Sequence, residues 1–173
     1  QKESPGLHTG FALDADGQNI ALWWPGDEGL KIQDAIGFGP QADDLSIGRE
    51  PDGLGPWTLN TPTPGLANVG SDTGIMRSLV INEWMARPED GDDWLELFNN
   101  SSLPIPLTGL KLSDDPSQPD KTVMPPLTFI GPNGFLRLTA DNSPADGPTH
   151  LGFRISGSRE DVVPTDTKDK VSD

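Results

Sequence analysis

Leu79-Val80-Ile81-Asn82-Glu83-Trp84-Met85 and Trp94-Leu95-Glu96-Leu97-Phe98 decide the fold class. The second stretch alternates, placing Trp94, Glu96 and Phe98 on one face and Leu95 and Leu97 on the other, the period of a strand with one buried face. The first starts apolar and then alternates. Arg87-Pro88-Glu89-Asp90-Gly91-Asp92-Asp93 between them is dense in turn formers, so the two are expected to pair as core strands through a hairpin-type connection.

The same reading extends outward. Gly109-Leu110-Lys111-Leu112-Ser113, Thr122-Val123-Met124, Leu127-Thr128-Phe129-Ile130 and Phe135-Leu136-Arg137-Leu138-Thr139 are short strand candidates, each closed by a proline or glycine cluster. Towards the amino terminus, Phe11-Ala12-Leu13 is expected to turn through Asp16-Gly17 into Ile20-Ala21-Leu22-Trp23-Trp24, because Asp-Gly tolerates the positive φ angles of a tight reversal. Ile32 to Phe38 and Leu45 to Arg49 are the next candidates. Thr61-Pro62-Thr63-Pro64-Gly65 stops the pattern, and residues 69–78 read as a linker. No segment carries a sustained 3.6-residue apolar stripe, so little helix is expected.

Composition agrees. Twenty glycines and 18 prolines among 173 residues demand many turns without reaching a disordered or collagen-like share. A chain of this length can bury roughly 70% of its unfolded surface, so one domain with ragged ends is the first expectation. The net charge of −15, with only 12 scattered basic residues, argues against nucleic acid and against an anionic membrane surface as partners. No apolar run approaches the roughly 18 residues of a membrane span, so no membrane insertion is expected. With no cysteine, disulfides, thiolate metal sites and cysteine nucleophiles are excluded.

One motif occurs twice. Leu7-His8-Thr9-Gly10-Phe11-Ala12-Leu13 is echoed by Thr149-His150-Leu151-Gly152-Phe153-Arg154-Ile155, both reading His-x-Gly-Phe-x-aliphatic followed by a polar turn. Lys31-Ile32-Gln33-Asp34 is echoed more weakly by Lys170-Val171-Ser172-Asp173. His8 and His150 therefore mark nearly one period of a tandem repeat, and the chain reads as the back half of one module joined to the front half of the next.

The motifs resemble those of the lamin tail domain family. Val80-Ile81-Asn82-Glu83, then Asp92-Asp93-Trp94-Leu95-Glu96-Leu97-Phe98-Asn99, then Leu107-Thr108-Gly109-Leu110-Lys111-Leu112-Ser113-Asp114-Asp115 are similar, in order and spacing, to the opening half of such a domain. The His-x-Gly-Phe element, Ile36-Gly37-Phe38-Gly39-Pro40-Gln41, Gly48-Arg49-Glu50-Pro51-Asp52-Gly53, and Trp57 with Thr61 to Asn68 resemble its closing half. The resemblance implies an all-β, immunoglobulin-like β-sandwich and an accessory role in a large exported protein, hence an extracellular or cell-surface location.

The closing half precedes the opening half. Residues 7–68 and 79–158 are thus expected to form one circularly permuted sandwich, as a monomer, or to complete each other by strand exchange in a dimer. The two His-x-Gly-Phe copies then compete for one position. The first is favoured here, because the strand after it, Ile20 to Trp24, is strongly apolar, whereas residues 159–173 form a charged tail expected to be loosely held or paired only at an edge.

Candidate chemistry is sparse. His8 and His150 are equivalent repeat positions rather than a site pair, and structural hydrogen bonding is their expected role. No nucleophile elbow, phosphate loop, zinc motif or dinucleotide fingerprint occurs, so no catalytic or cofactor-binding residues are expected and the segment is not read as an enzyme. Asp92, Asp93, Asp114 and Asp115 are the candidate calcium ligands, being hard oxygen donors in turns, although the simpler reading is turn formation and edge protection. Tryptophans in alternating strands are expected in the core, but Trp23 and Trp24 are adjacent and must point to opposite faces, which leaves one exposed as a contact surface. Overlapping sequons at Asn99 and Asn100 mark a surface loop. The leading function is a non-catalytic module binding or spacing a protein or cell-surface partner. The alternatives are a calcium-stabilised carbohydrate-binding module and a fragment of a hydrolase whose catalytic domain lies elsewhere.

Overall fold

The computed structural model describes residues 8–156 and the backbone of the short strand Val163–Thr165. The chain is all-β, built of several antiparallel sheets, with one 3-10 turn among the described residues, at Met76–Ser78. No described helix is long and apolar enough to cross a membrane.

The central sheet follows from the two deciding stretches. Strands β6 (Leu79–Met85), β7 (Trp94–Asn99) and β12 (Phe135–Thr139) run in the order β12-β7-β6. Leu95 faces Leu138 and Leu97 faces Leu136 across one ladder, while Ile81 faces Leu97 across the other. Leu95, Leu97 and Leu138 are sealed from solvent, as the alternation requires. A bulge at Asn82 lets β6 keep Ile81 inward and yet place Glu83 against Glu96.

Facing this sheet are short pieces. Strands β8 (Ile105–Pro106) and β11 (Phe129–Ile130) pair with each other, and β9 (Lys111–Ser113) pairs with β10 (Thr122–Val123). Ile105, Leu107, Leu110, Leu112, Met124 and Ile130 close the main core from this side. The other edge of β9 is taken by β13 (Val163–Thr165), with Val163 opposite Ser113. The rest of the region 159–173 lies outside the described residues.

The amino-terminal half meets the second half at a smaller cluster. Strands β3 (Ser46–Arg49), β4 (Trp57–Thr61) and β5 (Val69–Gly70) form a sheet, from which Leu59, with Ala42, packs on Phe129. The Phe129 N–H donates to Pro40 O at 2.8 Å and the Gly39 N–H to Pro126 O at 3.2 Å. Gly39 is required there, because a Cβ would collide with the Thr128 side chain.

Five expectations are corrected. The Asp16-Gly17 turn exists, with the Gly17 N–H on Asp14 O, but it does not close the hairpin. The hairpin joins β1 (Gln18–Gly26) to β2 (Gly29–Phe38) around Asp27-Glu28, and residues 11–13 are not a strand. Residues 69–78 are not a free linker: β5 pairs with β4, the Gly74 N–H donates to Pro104 O, and Met76 packs on the core.

The core position goes to the second repeat copy, not the first. Leu151, Phe153 and Ile155 are 1%, 3% and 6% exposed, whereas Phe11 and Leu13 are each 61% exposed. The position of Leu151 decides the competition, because the first copy would place the Thr9 hydroxyl in that apolar pocket. Tryptophan does not form the core either. Trp23, Trp24 and Trp84 are exposed, and Trp57 and Trp94 lie half-buried beneath Arg49 and Arg137. Lastly, Asn99 is buried rather than in a surface loop. Its Nδ2 donates to Leu103 O at 2.7 Å and Gly131 O at 2.8 Å, and its Oδ1 accepts from Ser101 Oγ at 2.8 Å.

Candidate functional site

A cluster of titratable side chains lies where the second repeat copy joins the sheet. The chain leaves β12 at Thr139 and returns at Thr149: the Thr139 N–H donates to Thr149 O at 2.8 Å, and the Leu151 N–H to Thr139 O at 2.7 Å. This bracket places Asp141 and His150 side by side. The Asp141 Oδ2 lies 2.6 Å from His150 Nδ1, and its Oδ1 accepts the Ser143 N–H at 2.9 Å. Between them, Ser143 to His150 forms a loop held by the Asp146 N–H on Ser143 O and the His150 N–H on Gly147 O. Burial would raise the pKa of Asp141, but the hydrogen bonds from His150 and the Ser143 N–H outweigh it and hold the carboxyl below its ordinary value.

Asp141, Asp146 and His150 bring one ligand atom each within 4.8 Å of one another, with Asp141 buried and Asp146 exposed. Such a set could take a borderline cation through one imidazole nitrogen and two carboxylate oxygens. Its sequence trace is the spacing Asp141, Asp146, His150 across a loop with turns at Pro144-Ala145 and Pro148-Thr149, a signal that the histidines taken as repeat markers alone do not carry. Beside it opens a cleft of about 380 Å³ lined by Lys121, Thr122, Pro125, Pro144, Pro148 and His150.

The four candidate calcium ligands are dispersed. Asp92 and Asp93 precede β7, and Asp114 and Asp115 follow β9 in a different sheet. Asp93 Oδ1 accepts the Arg87 N–H at 2.7 Å, and Asp114 Oδ1 pairs with Lys121 Nζ at 2.5 Å. Asp115 accepts the Ser117 hydroxyl at 2.7 Å and the Ser117 N–H at 2.8 Å, with Gln118 as a third donor, and these bonds hold its carboxyl below the ordinary value. These three carboxylates act as turn and pair acceptors. They are not among the metal-capable groups of the described residues.

Trp23 and Trp24 stand on the β1–β2 ribbon, a two-stranded sheet whose large apolar side chains at Leu22, Leu30 and Ile32 are exposed among the described residues. The two indoles are 51% and 48% exposed, so both rings, not one, are open. Leu22, Leu30 and Ile32 are exposed with them, and the register places Trp23 opposite Ile32 and Trp24 opposite Lys31. Opposite-face pointing leaves both tryptophans in solvent when a sheet has no second layer.

No protein-family model, curated protein or solved structure matches this chain.

Proposed function

We propose that the chain is a non-catalytic accessory module, an immunoglobulin-like sandwich of lamin-tail type in permuted order, belonging to a larger exported protein and holding a protein or cell-surface partner. The observation that carries this reading is the apolar ribbon with Leu22, Trp23, Trp24, Leu30 and Ile32 exposed. The register puts Trp23, Leu30 and Ile32 on one face of the ribbon and Trp24 on the other; exposed apolar surface of this kind marks contact sites in soluble proteins, and tryptophan is enriched at their energetic centres. His150, the best-placed titratable side chain, is engaged through Nδ1 with Asp141 in fastening a strand to the sheet, which supports a structural rather than a catalytic role.

Titration of the protein with fractionated cell-envelope protein and, separately, with polysaccharide, followed by tryptophan emission, tests the reading. A saturable blue shift with a protein fraction, lost in W23S/W24S, is the expected result. A shift with polysaccharide alone would favour a carbohydrate-binding module, the second reading that paired open indole faces suit. Identical behaviour of wild type and W23S/W24S in every titration would overturn both.

A further inference from the structure

The strand position beside Asp141 makes four demands on its occupant. It needs an imidazole, because His150 Nδ1 lies 2.6 Å from the buried carboxylate. Two residues on it needs a glycine: the Gly152 N–H donates to Thr122 Oγ1 at 2.7 Å, and a Cβ there would collide with Lys121 O. Next it needs an aromatic ring, Phe153, and then, one residue removed, an aliphatic side chain, Ile155, both inside the main core. Arg154 between them is exposed and free to vary.

His8, Gly10, Phe11 and Leu13 present these four groups at the same spacing, with Ala12 at the variable position. In this chain Phe11 and Leu13 are exposed, and a Cβ on Gly10 would meet nothing within 4 Å. Among the described residues nothing around Gly10 requires a glycine, whereas the slot does. We propose that His8–Leu13 is a docking strand for a second copy of this chain, entering the slot beside Asp141 whenever that copy's own Thr149–Ile155 is out of it.

Leu151 against Thr9 sets the direction of competition. The resident strand buries a leucine where the docking strand brings a hydroxyl, so the resident wins within an intact chain and the docking strand fills only a vacated slot. Docking puts the Thr9 N–H on the Thr139 carbonyl that the Leu151 N–H now holds, while Phe11 and Leu13 fill core pockets, a β-strand complementation in which backbone pairing supplies affinity and alternate pockets supply specificity. The proposal is independent of what the tryptophan ribbon binds.

The test uses full chains. The receiver is G10V/G152V, in which neither of its own copies fits the slot, and the donors are wild type, G10V and W23S/W24S, each mixed with receiver and weighed by light scattering. Wild type and W23S/W24S are expected to give a one-to-one complex at twice the 18.5 kDa chain mass, and G10V to bind at least about tenfold more weakly. Should the receiver fail to fold alone, F11A/F153A, which keeps both glycines and empties the aromatic pocket, replaces it with F11A as the matched defective donor. No complex with wild type, or equal complex with the defective donor, overturns the proposal. Loss of the complex with W23S/W24S alone would also overturn it, since the ribbon and not the docking strand would then carry the contact.

Discussion

Asp141 Oδ2 lies 2.6 Å from His150 Nδ1, and the two residues sit on opposite sides of the bracket that fastens the second repeat copy to the sheet. Asp141 is 8% exposed, so its charge is satisfied by protein donors rather than by water. The pair therefore bears on stability, and its loss is expected to be felt in the whole core.

The pH dependence follows from the direction of the Asp141 shift. A carboxyl held below its ordinary value in the folded state contributes stability that is full above that ordinary value and drains away as pH falls through the folded value. Melting temperature is expected to drop more steeply for wild type than for D141N as pH is lowered from 5 towards 3, measured by circular dichroism at fixed ionic strength. At pH 7, D141N is expected to be less stable by about 1.5–3 kcal/mol, the usual worth of a hydrogen bond to a charged group. Parallel pH profiles for the two proteins would contradict the assignment.

The two repeat copies should respond oppositely to the same substitution. F153A empties a pocket in the main core and is expected to cost about 3–5 kcal/mol in urea unfolding. F11A removes an exposed ring and is expected to stay within about 0.5 kcal/mol of wild type. Equal losses at the two positions would mean that the first copy shares the core.

Asn99 is the polar pin between β7, the loop after it and the Ile130–Gly131 backbone. Replacing it with leucine removes the amide donor of the Gly131 carbonyl, whereas the Leu103 carbonyl keeps the Ser101 hydroxyl at 2.9 Å, so the expected cost is about 1–3 kcal/mol in total. Equilibrium denaturation of N99L measures this, and an unchanged midpoint would show that water substitutes for the amide.

The β1–β2 ribbon is a two-stranded sheet with mostly exposed side chains among the described residues, and a two-stranded hairpin is at best marginal by itself. Amide exchange is expected to be faster in Ile20–Trp24 than in Leu95–Phe98 by orders of magnitude, because opening the ribbon need not open the core. Comparable protection in the two segments would mean that the ribbon is covered in solution, which native mass and tryptophan quenching would then trace.

Much of the architecture was legible because alternation is local. In β7 every second residue is apolar, and the strand, its partner β6 and its inward face emerge where Leu95 and Leu97 require them. Strand β12 coincides with Phe135 to Thr139 as read. The tryptophans were placed less well, because hydrophobicity states which residues gain from burial and not whether a second layer exists to bury them. Asn99 looked like a loop acceptor by its sequon. Only the return of residues 130–131 past its amide made it a buried crosslink. The candidate site was legible only as a repeated histidine. Asp141 and Asp146 join His150 through a loop closure that leaves no periodic trace.

By itself the sequence determined that the chain is built of strands, that Leu79–Met85 and Trp94–Phe98 pair, and that one strand motif is present twice, since each of these depends on the order of neighbours along the chain. Tertiary structure alone decided which copy is used. His8 and His150, Gly10 and Gly152, Phe11 and Phe153 are locally equivalent, and the choice falls to a pocket that accepts Leu151 more readily than the Thr9 hydroxyl, a preference that exists only once distant strands have closed around it.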